Sequence, residues 1–104
     1  MALIHTLLNY RSAGKVASFK MLGEKKATVE LRNGTVLTVY MSDQYIVGDS
    51  EVMEAAAQPP AQFLIYNVWD RVSSAAYSLG RSNGIEVISF GAFGHRLDEM
   101  NARS

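Results

Sequence analysis

The sequence predicts an α/β (α+β) fold, in which a single domain contains a mixed sheet of about five strands with helices on both faces. Two patterns predict it. Apolar and β-branched residues flank Asn33-Gly34 on both sides, which is the strongest short signal for a β-hairpin. After residue 62, apolar runs of strand length alternate with helical periodicity, as in βαβ units. The predicted order over residues 1–104 is α-β-β-β-α-β-α-β-α.

The predicted hairpin lies at the centre of this sheet. A two-residue type I′ turn at Asn33-Gly34 would place Leu31 opposite Val36. With that register, the second strand of the hairpin is apolar on both faces, whereas the first is apolar on one face only. A strand with two apolar faces is typical of a sheet that is covered on both sides. Helices are therefore expected above and below the sheet.

The other elements follow from periodicity and from helix signals. Pro59 ends a short helix whose N-cap is predicted at Asp49 or Ser50. The next helix is predicted to be capped by Asn67 or Asp70 at its start, and to end before a glycine in the left-handed conformation. The predicted helices span residues 2–12, 51–57, 70–82 and 91–102, and the predicted strands span residues 15–22, 27–32, 35–41, 63–66 and 85–90.

Composition excludes several classes of protein. Hydrophobic residues make up 48% of the chain and ten basic side chains balance ten acidic ones, so the chain is neither disordered nor a strongly basic nucleic-acid binder. Cysteine is absent, which excludes disulfides and thiolate zinc sites, and His5 and His95 are the two histidines. No cofactor and no metal site are predicted. No apolar stretch approaches ~20 residues, so no membrane span and a cytoplasmic location are expected.

Most of the predicted order consists of a helix, a three-stranded meander, a crossover helix and a fourth strand. Residues 63–100 add an apolar strand, a helix, the strand Gly84-Ile85-Glu86-Val87-Ile88 and an amphipathic closing helix. This order resembles the PD-(D/E)-x-K, or restriction-endonuclease-like, superfamily. The resemblance implies a nuclease-type core, in which carboxylates hold Mg²⁺ and a lysine positions water.

The sequence departs from that family in the residues that would carry the chemistry. The acid-x-base triplet of the hairpin is Glu30-Leu31-Arg32, which lies one strand earlier than the family pattern. Arginine cannot release its proton. The following strand, residues 35–41, contains no charged residue. The resemblance therefore implies the fold, with nucleic-acid binding as an alternative function, but without metal-dependent cleavage.

The segment after the strand Phe63–Tyr66 is the candidate ligand site. Ligands of open α/β sheets bind at the carboxyl ends of strands, near helix N-termini. One interpretation is a pocket for a small polar ligand or for a side chain of a partner. The other is structural, with the tryptophan packed as a lid and a polar residue capping the helix. The candidate residues are Tyr66, Asn67, Trp69, Asp70 and Arg71.

Self-association, most simply as a two-fold homodimer, is the predicted use of the apolar surface. Small domains bury a limited fraction of their surface, so that excess apolar area often forms an interface. The first predicted interface is the stripe of Phe93, Leu97 and Met100 on the final helix. The second is the edge of the sheet along Ile85–Phe90, whose backbone groups would be unpaired if nothing covers them.

A non-catalytic binding or assembly domain is the function that these patterns favour, and no residue is assigned a catalytic role. Two alternatives stay open. One is a nuclease-like domain that binds nucleic acid, which salt would weaken because phosphate contacts are electrostatic. The other is an enzyme or ligand-binding domain that uses the Tyr66–Asp70 junction.

Overall fold

Five strands form one mixed sheet in a computed structural model of the protein, which describes residues 3–42, 46–67 and 71–102. The elements in chain order are α1 (Leu3–Ser12), β1 (Ser18–Met21), β2 (Lys26–Glu30), β3 (Val36–Met41), β4 (Ile46–Val47), α2 (Asp49–Ala56), β5 (Phe63–Tyr66), β6 (Arg71–Val72), α3 (Ser74–Ser82), β7 (Glu86–Ser89) and α4 (Phe90–Ala102). The sheet has the order β1-β2-β3-β5-β7, with an antiparallel meander followed by two strands parallel to β3. The predicted fold is confirmed, and β4 and β6 add a small parallel ribbon.

Helices cover both faces of the sheet, as the sequence predicts. On one face α1 and α4 bury a cluster that includes Leu7, Phe93 and Leu97. On the other face α2 and α3 bury a second cluster, in which Val52 and Ala76 are fully buried. The first cluster contains leucine and aromatic side chains, whereas the second contains several alanines.

β3 contributes to both clusters, which explains its apolar sequence. Val39 packs beneath α1 and α4, and Tyr40 packs beneath α2 and α3. Because α2 and α3 cover only the later part of the strand, Val36 at its start is 58% exposed. Thr28 and Thr38 pair on the same side and are half-buried. The meander therefore has a solvent-facing surface that is polar or aliphatic.

The Leu31 amide donates to the Thr35 carbonyl at 2.8 Å, so the loop between these two residues has three residues and the predicted type I′ turn is wrong. The Gly34 amide donates to the Leu31 carbonyl at 3.0 Å, which closes a four-residue turn. Gly34 has a φ of 89°, while no described residue other than glycine has a positive φ. Asn33 therefore lacks the left-handed conformation that a type I′ turn requires. A type I turn followed by a left-handed glycine, with a G1 bulge, accounts for the geometry.

The extra loop residue changes the register by one. Glu30 lies opposite Val36, so the predicted pairing of Leu31 with Val36 is wrong. Val29 lies opposite Leu37, and both side chains are buried in the cluster beneath α1 and α4. A shift of one residue in the pairing moves the side chains of a strand to the other face of the sheet. The observed register pairs apolar residues with one another on the buried face.

Gly34→Ala is expected to lower the free energy of unfolding by about 1–2 kcal/mol, because an L-residue strains the left-handed backbone. Gly23→Ala is the matched control. An added Cβ would meet nothing within 4 Å at either position, and only Gly34 has a positive φ. Urea unfolding of the two variants measures the difference. Equal losses in both variants would contradict the assigned turn.

α3 begins later than predicted. Arg71 belongs to β6, which pairs with β4, so the chain is still extended where a helix was expected. Ser73 caps α3, since its Oγ accepts a hydrogen bond from the Ala76 amide at 3.0 Å. The predicted cap at Asn67 or Asp70 is therefore wrong. The pairing that displaces the helix start is non-local and leaves no periodicity in the segment itself.

α2 begins slightly earlier than predicted. Gly48 is its N-cap, in place of Asp49 or Ser50, and the Gly48 amide donates to the Glu51 carboxylate at 2.9 Å. That contact satisfies one amide at the helix start, where amides have no partner within the helix. At the far end of α3, Gly84 has a φ of 71°, as expected for a glycine that terminates a helix.

Candidate functional site

The end of β5 is where the sequence predicts a ligand site. Tyr66 is the last residue of β5 and Asn67 follows it, and both are half-buried. Arg71 is exposed on β6, in the ribbon that leads into α3. Trp69 and Asp70 lie outside the described residues. The described part of the junction thus consists of a tyrosine and an amide at the strand end, and an arginine on the ribbon.

A pair of tyrosine hydroxyls defines the chemistry of this junction. The hydroxyl of Tyr66 lies 2.8 Å from that of Tyr77 on α3. This hydrogen bond, together with burial, raises the pKa of Tyr66 to about 12. A hydroxyl that donates such a bond is stabilised in its neutral form. At neutral pH Tyr66 therefore keeps its proton and does not supply a base.

Stability is expected to fall between pH 10 and pH 12 through Tyr66. Its pKa is about 12 in the folded chain against 10.0 ordinarily, so the unfolded chain loses the proton first. The stabilising contribution is complete below pH 10 and is lost as the pH rises through 12. Burial also raises the pKa of Tyr10 to about 12, which adds a second group in the same window.

Tyr66→Phe should reduce the loss in the free energy of unfolding as the pH rises above 10. Combining Tyr66→Phe with Tyr10→Phe should reduce that loss further. Urea unfolding at several pH values between 9 and 12 measures the slope. If the double variant keeps the slope of the unmodified chain, these two hydroxyls are not the titrating groups.

The order of the described strands does not reverse at this junction. β3, β5 and β7 are neighbours in chain order, and the clusters show α2 and α3 on the same face. Crevices in open sheets form where the strand order reverses and successive connections pass to opposite faces. Across residues 3–42, 46–67 and 71–102, no three His, Cys, Asp or Glu residues are grouped as they would be to hold a metal ion.

The triplet that bears on the nuclease resemblance lies at the end of the hairpin. Glu30 is exposed and accepts a hydrogen bond from the Ser18 hydroxyl at 3.2 Å. Leu31 is buried in the core. Arg32 is exposed in the loop, where its backbone amide donates to Asn101 on α4 at 3.2 Å. These contacts connect the hairpin to its neighbours within the chain.

The stripe on α4 is part of the core of its own chain. Phe93 and Leu97 are fully buried, and the Phe93 ring contacts the rings of Tyr10 and Phe63 at centroid distances of 5.8 and 5.2 Å. Met100 is half-buried against the same cluster. These side chains of α4 shield the apolar face of the meander from water. Phe93 and Leu97 therefore have no exposed surface for a second copy, and the interface predicted on this stripe is not available in the folded chain.

The outer edge of β7 is the second interface that the sequence suggests. The hydrogen bonds of β7 show which of its backbone groups face away from β5. The Glu86 amide donates to Gln62, just before β5, at 2.9 Å, and β7 pairs with β5 in register. Inward and outward backbone groups alternate along a strand. Because Glu86 and Ile88 bond to β5, the amide and carbonyl of Val87 and the amide of Ser89 face away from it. No described strand pairs with that side of β7.

A shallow groove of about 380 Å³ runs beside this edge, between α3 and β7. Tyr77, which is 40% exposed, and Arg81 form the helical wall. The strand wall consists of residues 84–87. Sequence reasoning missed Tyr77 and Arg81, which lie on the polar side of a helix and carry no motif. The groove combines an aromatic ring and a cation with exposed backbone groups.

The opposite edge of the sheet is different. β1 carries Lys20, which is exposed, and a charged side chain on an edge strand discourages pairing with another chain. β7 contains no lysine or proline. Its charged residue, Glu86, is held by Arg96 on α4 through bonds of 3.2 Å. Of the two edges, β7 is the one without a lysine.

Comparisons with known proteins give no relative from which a role could be transferred: no family model, curated protein or solved structure matches the chain. Among the described residues, no helix is long and apolar enough to cross a membrane.

Proposed function

We propose that the protein is a small non-catalytic assembly domain, which binds an extended partner segment along the outer edge of β7. One observation carries the proposal: the sheet ends in a strand whose outward amides and carbonyls have no described strand beside them. Addition of a strand to such an edge supplies main-chain hydrogen bonds for affinity, and neighbouring pockets supply specificity. The groove beside β7 is in the position of such a pocket.

The side chains along this edge suit an apolar segment. Val87 and Ile88 are partly or largely buried on opposite faces of β7, and Tyr77 presents an exposed ring in the groove that Val87 also lines. A strand added at the edge would extend both apolar layers. Arg81 lines the groove and can donate hydrogen bonds to a carbonyl or carboxylate of the partner.

The non-catalytic part of the proposal is supported by the use of charged groups elsewhere. Lys26 donates to the carbonyls of Glu54, Ala57 and Pro59 at 3.2, 2.7 and 3.0 Å, which satisfies the end of α2. Burial lowers the pKa of Lys26, and the Glu54 carboxylate opposes that effect. Lys15 on the loop after α1 pairs with an aspartate of α4 at 2.6 Å. These groups hold elements of the fold together.

A labelled peptide tests the proposal. The probe is a fluorescein-labelled copy of residues 84–90, with added lysines for solubility, and fluorescence anisotropy measures its binding. We expect saturable binding to the unmodified chain and at least a tenfold loss for Val87→Pro, because proline removes an outward donor and is tolerated on edge strands. Val87→Ala is the matched control, since it also shortens the side chain but keeps the amide.

Two results would contradict strand addition. One is a failure of the peptide to bind at hundreds of micromolar. The other is equal binding by Val87→Pro and Val87→Ala. Circular dichroism of both variants confirms that each is folded before the titration.

The nuclease-like alternative is based on the order of helices and strands. A separate experiment tests it. It predicts DNA or RNA binding that weakens as salt rises. Because β3 carries no charged residue and the open face of the meander presents no aromatic ring among its described residues, we expect neither cleavage nor tight binding. Plasmid DNA and RNA with Mg²⁺ or Mn²⁺ should stay intact. Cleavage that is lost in Glu30→Ala would overturn this expectation.

A further inference from the structure

We infer that the partner segment is β7 of a second copy of the chain, which runs antiparallel to the first with the two-fold axis at Val87. The inference rests on the proposed function, and it adds the identity of the partner and the register. In this arrangement each copy contributes five strands to one continuous sheet.

The hydrogen-bonding groups along the edge are complementary to themselves about Val87. The outward groups of β7 are both groups of Val87 and the amide of Ser89, whereas the carbonyl of Ile85 lies against Gly80 of α3. The amide of Ile85 is already used, because it donates to the Gly80 carbonyl at 2.8 Å. With Val87 on the axis, its amide reaches the carbonyl of the partner subunit's Val87, and the reverse.

The alternation of side chains selects the same register. In an antiparallel pair, residues that lie opposite each other share a face of the sheet. Val87 opposite itself satisfies this condition and keeps the α3 layers of the two copies on one side and the α4 layers on the other. A shift by one residue would place Val87 opposite Ile88, which belongs to the other face. It would also place backbone groups that already bond to β5 opposite the outward groups of the partner strand.

Charge and closure favour a second copy over an unrelated peptide. The formal net charge is zero, so two copies do not repel each other at long range. A two-fold contact uses the same edge on both copies and is closed, so the joined five-stranded sheets end in the two β1 edges. Each of these carries Lys20, which protects against further growth of the sheet.

Sedimentation equilibrium of the full chain tests the partner. We expect a mass of twice 11.4 kDa at tens of micromolar for the unmodified chain and for Val87→Ala. Val87→Pro should have the mass of one chain. Urea unfolding verifies that the proline variant is folded. We expect it to fold, because the Val87 amide takes no part in the hydrogen bonds between β7 and β5.

A single introduced cysteine tests the register. The chain has no cysteine, so Val87→Cys carries one thiol. Opposed residues in a hydrogen-bonded antiparallel pair have Cα atoms about 5.5 Å apart, which suits a disulfide. Mild oxidation should convert Val87→Cys to a covalent dimer on a non-reducing gel. Val36→Cys, at a position that is 58% exposed on another strand, is the control and should remain a monomer on the gel.

The outcomes separate this inference from the proposed function. If the chain is a monomer while the peptide binds and Val87→Pro abolishes that binding, strand addition stands and the second copy is wrong. If the chain is a dimer that Val87→Pro does not affect, or if Val87→Cys fails to cross-link, the dimer uses another surface and the inference is overturned. If the chain is a monomer and the peptide fails to bind, both proposals are wrong.

Discussion

Leu97→Asp is expected to unfold the protein at 25 °C. Leu97 is fully buried between α4 and the sheet, in the cluster that also contains Phe93. Aspartate at this position leaves a cavity and places a carboxylate without a partner in an apolar region. We expect a loss of roughly 4 kcal/mol or more in the free energy of unfolding, which is most of the stability of a small domain. Circular dichroism and urea unfolding measure the effect.

His95→Asp is the control for this variant. His95 is exposed on the same helix, so the substitution adds a similar charge without burying it. We expect it to fold with nearly unchanged stability. A Leu97→Asp variant that folds and loses only its self-association would show that Leu97 is an interface residue, as the sequence alone suggests.

Phe93→Ala has the second largest expected effect, a loss of about 3–5 kcal/mol in the free energy of unfolding. The Phe93 ring is fully buried and forms edge or tilted contacts with Tyr10 and Phe63. Such aromatic pairs add to the stabilisation that comes from buried area. Alanine removes both contributions and leaves a cavity where α1, α4 and the sheet meet. The midpoint of urea unfolding gives the size of the loss.

Phe93→Leu retains most of the volume and removes the aromatic contacts. It should cost about 1 kcal/mol, as volume-conserving exchanges of apolar residues do. If alanine and leucine gave the same loss, the site would not be filled by the ring, and the packing described for α4 would be incorrect.

The fold could be predicted because its signals are local. Helical spacing marks α1 and α4, and the apolar run of β3 on both faces correctly indicates two layers of helices. The hairpin register could not be derived from Asn33-Gly34. That pair occurs both in two-residue turns and in three-residue loops, and the difference is which residue takes the positive φ. Here only Gly34 does, so the prediction failed by one residue.

The candidate site was harder to predict because its geometry is non-local. The order β3-β5-β7 and the placement of α2 and α3 on one face put no reversal of strand order at Tyr66, and neither can be read from periodicity. The pairing of β4 with β6 moved the start of α3 for the same reason. The segment Ile85–Phe90 was recognised as a strand, yet only the sheet order shows that β7 lies at an edge.

The burial of Phe93 and Leu97 by residues far earlier in the chain has a consequence for synthesis on the ribosome. Translation produces α1 and the meander first, and these segments form local contacts as soon as they emerge. Their shared apolar face remains exposed until residues 90–102 have left the exit tunnel, because α4 is the element that covers it. The ion pair of Lys15 with Asp98 spans 83 residues and forms only at that point. Between the emergence of the meander and that of α4 the nascent chain therefore presents an apolar surface, on which chaperones can act before folding is complete.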